Sequence, residues 1–120
     1  MAVGLGNAGN NGNLVVLGGQ AQQYAVPQWK QLPWGAYNVA NGETRTAAGD
    51  VDGDGRDELL VSLGRYSTTG GFAVVFDDAS TGYATMRWIR IPDMAYNAAN
   101  GETWPACGDL DGDGREELVL

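Results

Sequence analysis

Two short stretches of the sequence concentrate carboxylates at a fixed spacing. They are GDVDGDGRDELL at 49–60 and GDLDGDGREELV at 108–119. With the first Asp as position 1, carboxylates fall at positions 1, 3, 5 and 9, and the backbone carbonyl of position 7 can add another oxygen. Oxygen ligands at alternate positions around a tight turn are what Ca²⁺ coordination requires. The predicted ligands are Asp50, Asp52, Asp54, the carbonyl of Arg56 and Glu58, and in the second copy Asp109, Asp111, Asp113, the carbonyl of Arg115 and Glu117.

The negative charge of the chain is concentrated in these two stretches. They contain ten of the 15 acidic residues, and the formal net charge of the chain is −8. Like charges packed this closely repel one another unless a cation lies among them. Glycines at positions 4 and 6 allow the backbone to turn tightly without a steric penalty from Cβ. The sequence therefore predicts about two Ca²⁺ ions per chain. The alternative is a solvated acidic turn without metal.

The same spacing disfavours an EF-hand. The EF-hand loop needs a bidentate Glu at position 12, where this chain has Val61 in one copy and Leu120 in the other. A strand-like segment also begins at position 9 or 10, where an EF-hand would begin a helix. The chain has no histidine, and no nucleophile lies in a recognisable triad or elbow. An enzyme is therefore not expected.

Comparison of the chain with itself, at the offset that places Gly108 on Gly49, shows two copies of one unit. Residues 24–61 and 83–120 are identical at 22 of 38 positions. A repeat of this length is typical of proteins whose units bury their faces against neighbouring units. Four strand-like segments joined by tight links make up the unit, and a four-stranded meander repeated in series is typical of a β-propeller. The sequence therefore predicts an all-β fold built from four-stranded antiparallel meanders.

The stretches GDVDGDGRDELLVSLG and GDLDGDGREELVL resemble the FG-GAP and VCBS-type repeats of integrin-like β-propellers. The resemblance covers nearly the whole chain, as two blades. It implies that each calcium loop joins the innermost strand of a blade to the second strand, with the acidic residues named above as ligands. It also implies secreted or cell-surface parent proteins. Glu58 and Glu117 stand where Asp is common in that family.

The strand pattern predicts one complete blade at 43–91 and two complementary partial blades at 2–32 and 102–120. The first partial blade lacks an inner strand, and the second lacks outer strands. Propellers need about four to eight blades or more, so two blades cannot close a ring. We expect head-to-tail homo-oligomerisation into a ring of six or eight blades, a trimer or a tetramer. The alternative is closure of the two halves within a monomer. The near-repeat and the divided blade are compatible with an engineered or excised chain.

A second repeated stretch, AYNVANGET at 36–44 and AYNAANGET at 95–103, combines an aromatic ring with amides and a carboxylate. Such a combination suits a sugar or a peptide, so the alternative function is that of a lectin-like carbohydrate-binding module. The structural interpretation is that Asn and Gly shape a turn while Tyr packs between blades. The candidate ligand-binding residues are Tyr37, Asn38, Asn41 and Glu43, with Tyr96, Asn97, Asn100 and Glu102.

Several partners and compartments are disfavoured by composition. Seven Lys and Arg residues against 15 acidic residues argue against a nucleic-acid partner. The sequence has no apolar run long enough to cross a membrane. The start MAVGLGNAGN lacks the basic and apolar regions of a signal peptide, so the sequence predicts no localisation. The single cysteine, Cys107, aligns with Ala48, which predicts a small buried residue. The repeated Trp29 and Trp88 are expected to pack between blades.

Overall fold

Nine short strands and two short helices lie in the described part of the computed structural model, which comprises residues 1–6, 11–25, 27–66 and 70–120. The strands are β1 (Ala2–Gly4), β2 (Asn13–Leu17), β3 (Pro27–Gln31), β4 (Thr44–Gly49), β5 (Glu58–Leu63), β6 (Phe72–Phe76), β7 (Thr85–Arg90), β8 (Ala106–Gly108) and β9 (Glu117–Val119). The helices are α1 (Gly35–Ala40) and α2 (Met94–Ala99), and 3₁₀ turns lie at Gln20–Gln22 and Ala79–Thr81. The predicted all-β class is confirmed.

The strands form three antiparallel sheets whose order follows the sequence. Strands β4 to β7 form a four-stranded meander that lies within the predicted unit at 43–91. Strands β1 to β3 form a three-stranded sheet, and β8 and β9 form a two-stranded sheet. The described chain therefore contains one four-stranded meander between two smaller sheets.

The repeat of the sequence recurs in the elements. The shift that places Gly49 on Gly108 also places the bounds of β2 and α1 on those of β6 and α2. The shift that aligns β1 with β5 is one residue shorter than the shift that aligns β2 with β6, as the strand pairing shows. Val3 pairs with Val15, whereas Val61 pairs with Val74, the counterpart of Val15. A one-residue difference in the loops before β2 and β6 accounts for the change, and β1 therefore corresponds to 60–62.

Strands β9 and β1 correspond to the two ends of one strand of the complete meander. Strand β9 is equivalent to 58–60 at the start of β5, and β1 is equivalent to 60–62 near its end. They share one position, that of Leu60. Relative to the four-stranded sheet, the pair β8 and β9 lacks the two outer strands, which β2 and β3 represent. The sheet of β1 to β3 lacks the inner strand, which β8 represents.

Each face of the four-stranded sheet packs against one of the smaller sheets. Successive side chains of a strand point to opposite faces. Leu59 and Val61 of β5 belong to the larger core cluster, which includes Leu14 of the three-stranded sheet. Leu60 belongs to a second cluster, against which Leu118 of the two-stranded sheet packs. All six residues of β5 are buried as a result.

The two helices lie in the repeated AYN stretches, where the sequence predicts a turn. Each helix has six residues, which is too short for a helical hydrophobic period to be recognised. In α2, the Asp93 carboxylate caps the helix by accepting a hydrogen bond from the Tyr96 amide at 2.9 Å. Helix α1 leads into the start of β4, whereas the acidic loop follows the end of β4. The two predicted sites therefore lie at opposite ends of this strand.

Candidate functional site

The acidic stretches form two equivalent links between adjacent strands. Loop 1 (50–57) joins β4 to β5, and loop 2 (109–116) joins β8 to β9. Gly53 and Gly55 of loop 1 have φ values of 82° and 86°, and Gly112 and Gly114 of loop 2 have φ values of 82° and 91°. Side chains with a Cβ rarely adopt this left-handed region. The glycine spacing therefore sets the curl of both loops.

Carboxylates organise the backbone of each loop from within. In loop 1, Asp50 accepts hydrogen bonds from the amides of Gly53 at 2.7 Å and Gly55 at 2.9 Å. Asp52 accepts from the Asp54 amide at 3.1 Å. Loop 2 repeats the arrangement from Asp109, which accepts from its own two glycine amides at 2.7 and 3.0 Å. The loops are thus wrapped around their first Asp, as oxygen ligation of a cation requires.

Three carboxylates converge in each loop. One oxygen each from Asp50, Asp52 and Glu58 lies within 4.8 Å of the other two, and the same holds for Asp109, Asp111 and Glu117. Each cluster could hold a metal ion. The donors are all carboxylate oxygens, which suit a hard cation. These six residues are the part of the predicted ligand set that the structure brings together.

The other predicted ligands make different contacts. The carboxylates of Asp54 and Asp113 are not in the converging groups, and each accepts a hydrogen bond from the following Arg amide, at 2.9 and 2.8 Å. The side chain of Arg56 lies 3.2 Å from Asp78 and 3.8 Å from Asp54. Hydrogen bonds from Ser80 and, to a smaller extent, the ion pair with Arg56 hold the pKa of Asp78 below its usual range. The Arg115 side chain lies against the backbone of Gly53.

Glu58 is the most enclosed carboxylate of the two clusters, with an exposed fraction of 1 %. Its Oε2 accepts hydrogen bonds from the amides of Val51 at 2.9 Å and Asp52 at 3.3 Å. Its Oε1 is buried and has no hydrogen-bond partner. Burial raises the pKa of Glu58, and the backbone hydrogen bonds partly oppose this. A buried carboxylate oxygen without a partner is costly, and a bound cation would offset that cost.

The two loops contact each other directly. The amide of Glu116 in loop 2 donates a hydrogen bond of 2.9 Å to the carbonyl of Asp50 in loop 1. The Glu116 carboxylate and Cys107 both lie against Gly49, where a Cβ would collide with them. Burial, reinforced by the nearby negative charge of Glu116, raises the pKa of the Cys107 thiol to about 11. Sequence patterns gave no sign of this contact, because it depends on packing between units.

The polar side chains of the repeated tyrosine stretches form hydrogen bonds mainly with backbone atoms of the same fold. The Tyr37 hydroxyl donates to the Glu43 carbonyl at 2.5 Å and accepts from the Gly64 amide at 2.8 Å. Asn41 Nδ2 donates to the Arg65 carbonyl at 2.7 Å. The Tyr96 hydroxyl donates to the Glu102 carbonyl at 2.7 Å. Glu43 and Glu102 both lie close to Arg45, and Asn100 is half-buried at the end of α2. These contacts favour the structural interpretation of the two stretches.

Asn38 and Asn97 are buried in equivalent positions. Their Nδ2 atoms donate to the carbonyls of Leu32 at 2.8 Å and Ile91 at 2.6 Å. Their Oδ1 atoms lie against Gly12 and Gly71, which have φ values of 72° and 83°. These two glycines are required both for the backbone conformation and for the close approach of the amide. The two Asn residues are therefore packed within the units.

An aromatic cluster lies between the first two sheets. Trp34 lies edge-on to Tyr66, Phe72 and Trp88, with centroid distances of 5.0, 5.2 and 6.0 Å. Pro33, Trp34, Phe72 and Trp88 line an apolar cavity of about 220 Å³. Trp34 aligns with an aspartate in the second copy, so comparison of the two copies gave no signal for it.

The two repeated tryptophans of the outer strands differ in their surroundings. Trp88 of β7 contacts Trp34 and Phe72, at centroid distances of 6.0 and 6.4 Å, and so packs between sheets as the sequence predicts. Trp29 of β3 is 64 % exposed. The prediction that Trp29 packs between blades is therefore not met within the described residues, where no sheet packs against this face of β3.

No protein-family model, curated protein or solved structure matches the chain. Among the described residues, no helix has the length and apolar character needed to cross a membrane.

Proposed function

We propose that the chain is a non-enzymatic, calcium-binding β-propeller fragment that assembles head-to-tail into a closed ring of six or eight blades. Each sheet is then a whole or partial blade, and each acidic cluster binds one Ca²⁺. The resemblance of the acidic stretches to FG-GAP and VCBS-type repeats supports this proposal. So does the recurrence of an antiparallel unit with an acidic loop after its first strand.

The division of one strand between β9 and β1 carries the assembly proposal. A sheet ordered β8, β9/β1, β2, β3 has the strand order of β4 to β7. One copy supplies β8 and β9, and a second copy supplies β1 to β3. The same step repeated around an axis returns to the first copy, which gives a closed ring. Three copies make six blades, and four copies make eight.

The pairing of β4 with β5 predicts the contacts at the join. Thr44, Arg45 and Thr46 pair with Leu63, Ser62 and Val61. The equivalent residues Thr103, Trp104 and Pro105 precede β8 and are not in a strand. In the assembled sheet they pair with Leu5, Gly4 and Val3 of the second copy.

Pro105 is compatible with this join. The Thr44 amide points away from β5, because it donates to the Leu5 carbonyl at 2.8 Å. Alternate residues of a strand point their amides the same way, so the Thr46 amide also points away from β5. Pro105 replaces Thr46 in the second unit and therefore removes no hydrogen bond from the new ladder.

The second copy would also fill a groove beside the two-stranded sheet. Val75, Met86 and Leu118 are among the residues that line this groove, which has a volume of about 450 Å³. At the equivalent place between the first two sheets, Val74 and Phe76 of β6 fill the core. Their counterparts are Val15 and Leu17 of β2, which the second copy would bring into the groove. One overlap must be resolved, since Met1–Val3 and Leu118–Leu120 occupy equivalent positions, and one of these ends must be displaced.

Calcium has a structural role in this proposal. An ion bound by loop 1 joins the end of β4 to Glu58 at the start of β5 and neutralises the converging carboxylates. An ion bound by loop 2 does the same for the two-stranded sheet, whose outer edge is the one completed by the second copy. Removal of Ca²⁺ is therefore expected to loosen the ring.

Light scattering on a sizing column, with Ca²⁺ and then with a chelator, tests the assembly. A trimer or tetramer that dissociates without Ca²⁺ is the expected result. A monomer indifferent to the chelator would refute both the assembly and the structural role of the metal. The join is tested separately by mixing a Val3→Cys chain with a Pro105→Cys chain, both carrying Cys107→Ala. Each chain then has one thiol, so a disulfide-linked heterodimer can only connect two copies.

A lectin-like carbohydrate-binding function is the second candidate. The cavity lined by Trp34 and Trp88 presents apolar ring surface of the kind that packs against sugars. Tyr96 is 37 % exposed and is the accessible member of the two repeated tyrosines. Binding on a glycan array that is lost in Trp34→Ala would favour this function at the cavity, and loss in Tyr96→Ala would favour it at α2. An array without binding would refute it.

A further inference from the structure

Arg45 connects the inner strand of the four-stranded sheet to the segment before β8. Its guanidinium lies 2.7 Å from Glu43 and 3.2 Å from Glu102, and it donates to the Thr103 carbonyl at 3.0 Å. Its Cζ lies 3.8 Å from the ring centroid of Trp104. The Arg45 side chain is only 11 % exposed. It is therefore a largely buried, charge-assisted junction between neighbouring units.

Trp104 is the counterpart of Arg45 in the next unit. The residues before it, Glu102 and Thr103, match Glu43 and Thr44 before Arg45. Trp104 is nevertheless 66 % exposed, because no unit of the described residues lies on its outer side. The position that connects one unit to the next is thus buried and cationic in one copy of the repeat and exposed and aromatic in the other.

We propose that the exposed surface of Trp104 is the docking site for Arg45 and Glu43 of a second copy of this chain. The inference rests on the assembly proposed above. Within the chain, Arg45 and Trp104 occupy the same position in successive units. In the ring, the unit after that of Trp104 belongs to the next copy, and its residue at this position is Arg45. Trp104 then lies between the guanidinium of its own chain and that of its neighbour. Arg and Trp alternate around one end of the ring.

The chemistry of the two side chains favours this alternation. A guanidinium over an indole face is attracted by the ring quadrupole, whereas Arg at both positions would bring like charges together. Each Arg45 also has two carboxylates within reach, Glu43 and Glu102 of its own chain, and the next junction adds further carboxylates at the same radius. Trp and Arg are among the residues most enriched at the energetic centres of interfaces. An Arg–Trp contact at every junction also specifies head-to-tail order.

Two single-cysteine chains test the contact directly, both carrying Cys107→Ala. An Arg45→Cys chain is mixed with a Trp104→Cys chain and treated with a short bis-maleimide. The expected result is a covalent dimer on a denaturing gel in the mixture, and no dimer when either chain is treated alone. Absence of the heterodimer from a mixture in which the Val3→Cys and Pro105→Cys pair does crosslink would overturn the docking of Trp104. Absence of both crosslinks, together with a monomeric mass in light scattering, would instead refute the assembly itself.

A residue swap tests the alternation. Trp104→Arg places two guanidiniums at each junction and is expected to raise the dissociation constant about tenfold. The double variant Arg45→Trp, Trp104→Arg restores the alternation and is expected to recover most of that affinity in sedimentation equilibrium. Urea unfolding of each variant establishes that it folds. A swap that associates no better than Trp104→Arg would overturn the proposal.

Discussion

Tyr37 and Tyr96 occupy the same position in α1 and α2 and donate the same hydrogen bond, yet their surroundings differ. Tyr37 donates to the Glu43 carbonyl at 2.5 Å, and Tyr96 donates to the Glu102 carbonyl at 2.7 Å. Tyr37 is fully buried and also accepts from the Gly64 amide, whereas Tyr96 is 37 % exposed. Tyr37 belongs to the core cluster that includes Leu59, Val61 and Leu63 of the four-stranded sheet, whereas Tyr96 belongs to neither core cluster. Comparison of the two tyrosines therefore shows how much a complete neighbouring sheet adds to the burial and hydrogen bonding of this position.

Substitution of each tyrosine by phenylalanine should show this difference. Tyr37→Phe leaves the buried Gly64 amide and Glu43 carbonyl without their partner and is expected to lower the free energy of unfolding by about 1–3 kcal/mol. Tyr96→Phe removes one partly exposed hydrogen bond and should cost less than about 1 kcal/mol. Urea unfolding at neutral pH, at a concentration where the chain is monomeric, provides the comparison. Equal losses would contradict the asymmetry of the two sites.

Alkaline pH should destabilise the fold in two overlapping steps. Burial raises the pKa of Cys107 from 9.0 to about 11 and that of Tyr37 from 10.0 to about 12. Both groups lose their protons at lower pH in the unfolded chain than in the folded chain. Their contribution to the free energy of unfolding is therefore fully present below pH 9 and is lost as pH rises from 9 to 12. Tyr37 accounts for about 2–3 kcal/mol of it. The check is urea unfolding at pH 8, 10 and 11. Tyr37→Phe should flatten the dependence above pH 10, and an unchanged slope would contradict the assignment.

Metal binding should separate into two sites that can be removed one at a time. Asp50→Asn is expected to weaken binding at loop 1 by at least about tenfold, because it removes a converging charge and replaces one of the two oxygens that accept from the Gly53 and Gly55 amides. Asp109→Asn should do the same at loop 2. Isothermal calorimetry with Ca²⁺ would show the number of tight sites fall from two to one in either variant. Asp57→Asn is the matched control, since Asp57 lies in the same loop and outside the converging cluster. A loss equal to that of Asp50→Asn would indicate that charge alone, and no defined site, holds the ion.

Gly71 should tolerate alanine far less than Gly82. Both have positive φ, 83° and 69°, so alanine costs about 1–2 kcal/mol of backbone strain at either position. A Cβ at Gly71 would also collide with Oδ1 of the buried Asn97, whereas nothing lies within 4 Å of a Cβ at Gly82. We expect a loss of at least about 3 kcal/mol for Gly71→Ala. Thermal unfolding of both variants gives the comparison, and similar melting temperatures would show that Asn97 can move aside.

The strands and the acidic loops could be predicted because each is encoded locally. The glycines of loop 1 and its alternate carboxylates fix the turn, and the internal repeat identifies the same turn in loop 2. The six-residue helices could not be predicted, since they are too short to show a period and depend on the sheets they contact. The resemblance to propeller repeats, the closed ring and the identity of the metal remain predictions.

Asp54 has the residue type and spacing of a ligand, yet its carboxylate is outside the converging group.

The contacts that join the units depend on segments far apart in the chain. Trp34 is absent from the second copy, so its edge-on packing with Tyr66 and Trp88 left no trace in the repeat. Cross-unit contacts of this kind need the relative placement of two sheets, which local residue patterns do not specify.

The hydrogen bond from the Glu116 amide to the Asp50 carbonyl makes one loop a spectroscopic reporter for the other. Asp50 supplies both a converging carboxylate oxygen of loop 1 and the carbonyl that receives this amide. A change at the Asp50 side chain alters the field and the geometry at its own carbonyl. The ¹⁵N–¹H resonance of Glu116 will therefore shift when loop 1 is loaded, even in a chain whose own loop 2 has been disabled by Asp109→Asn.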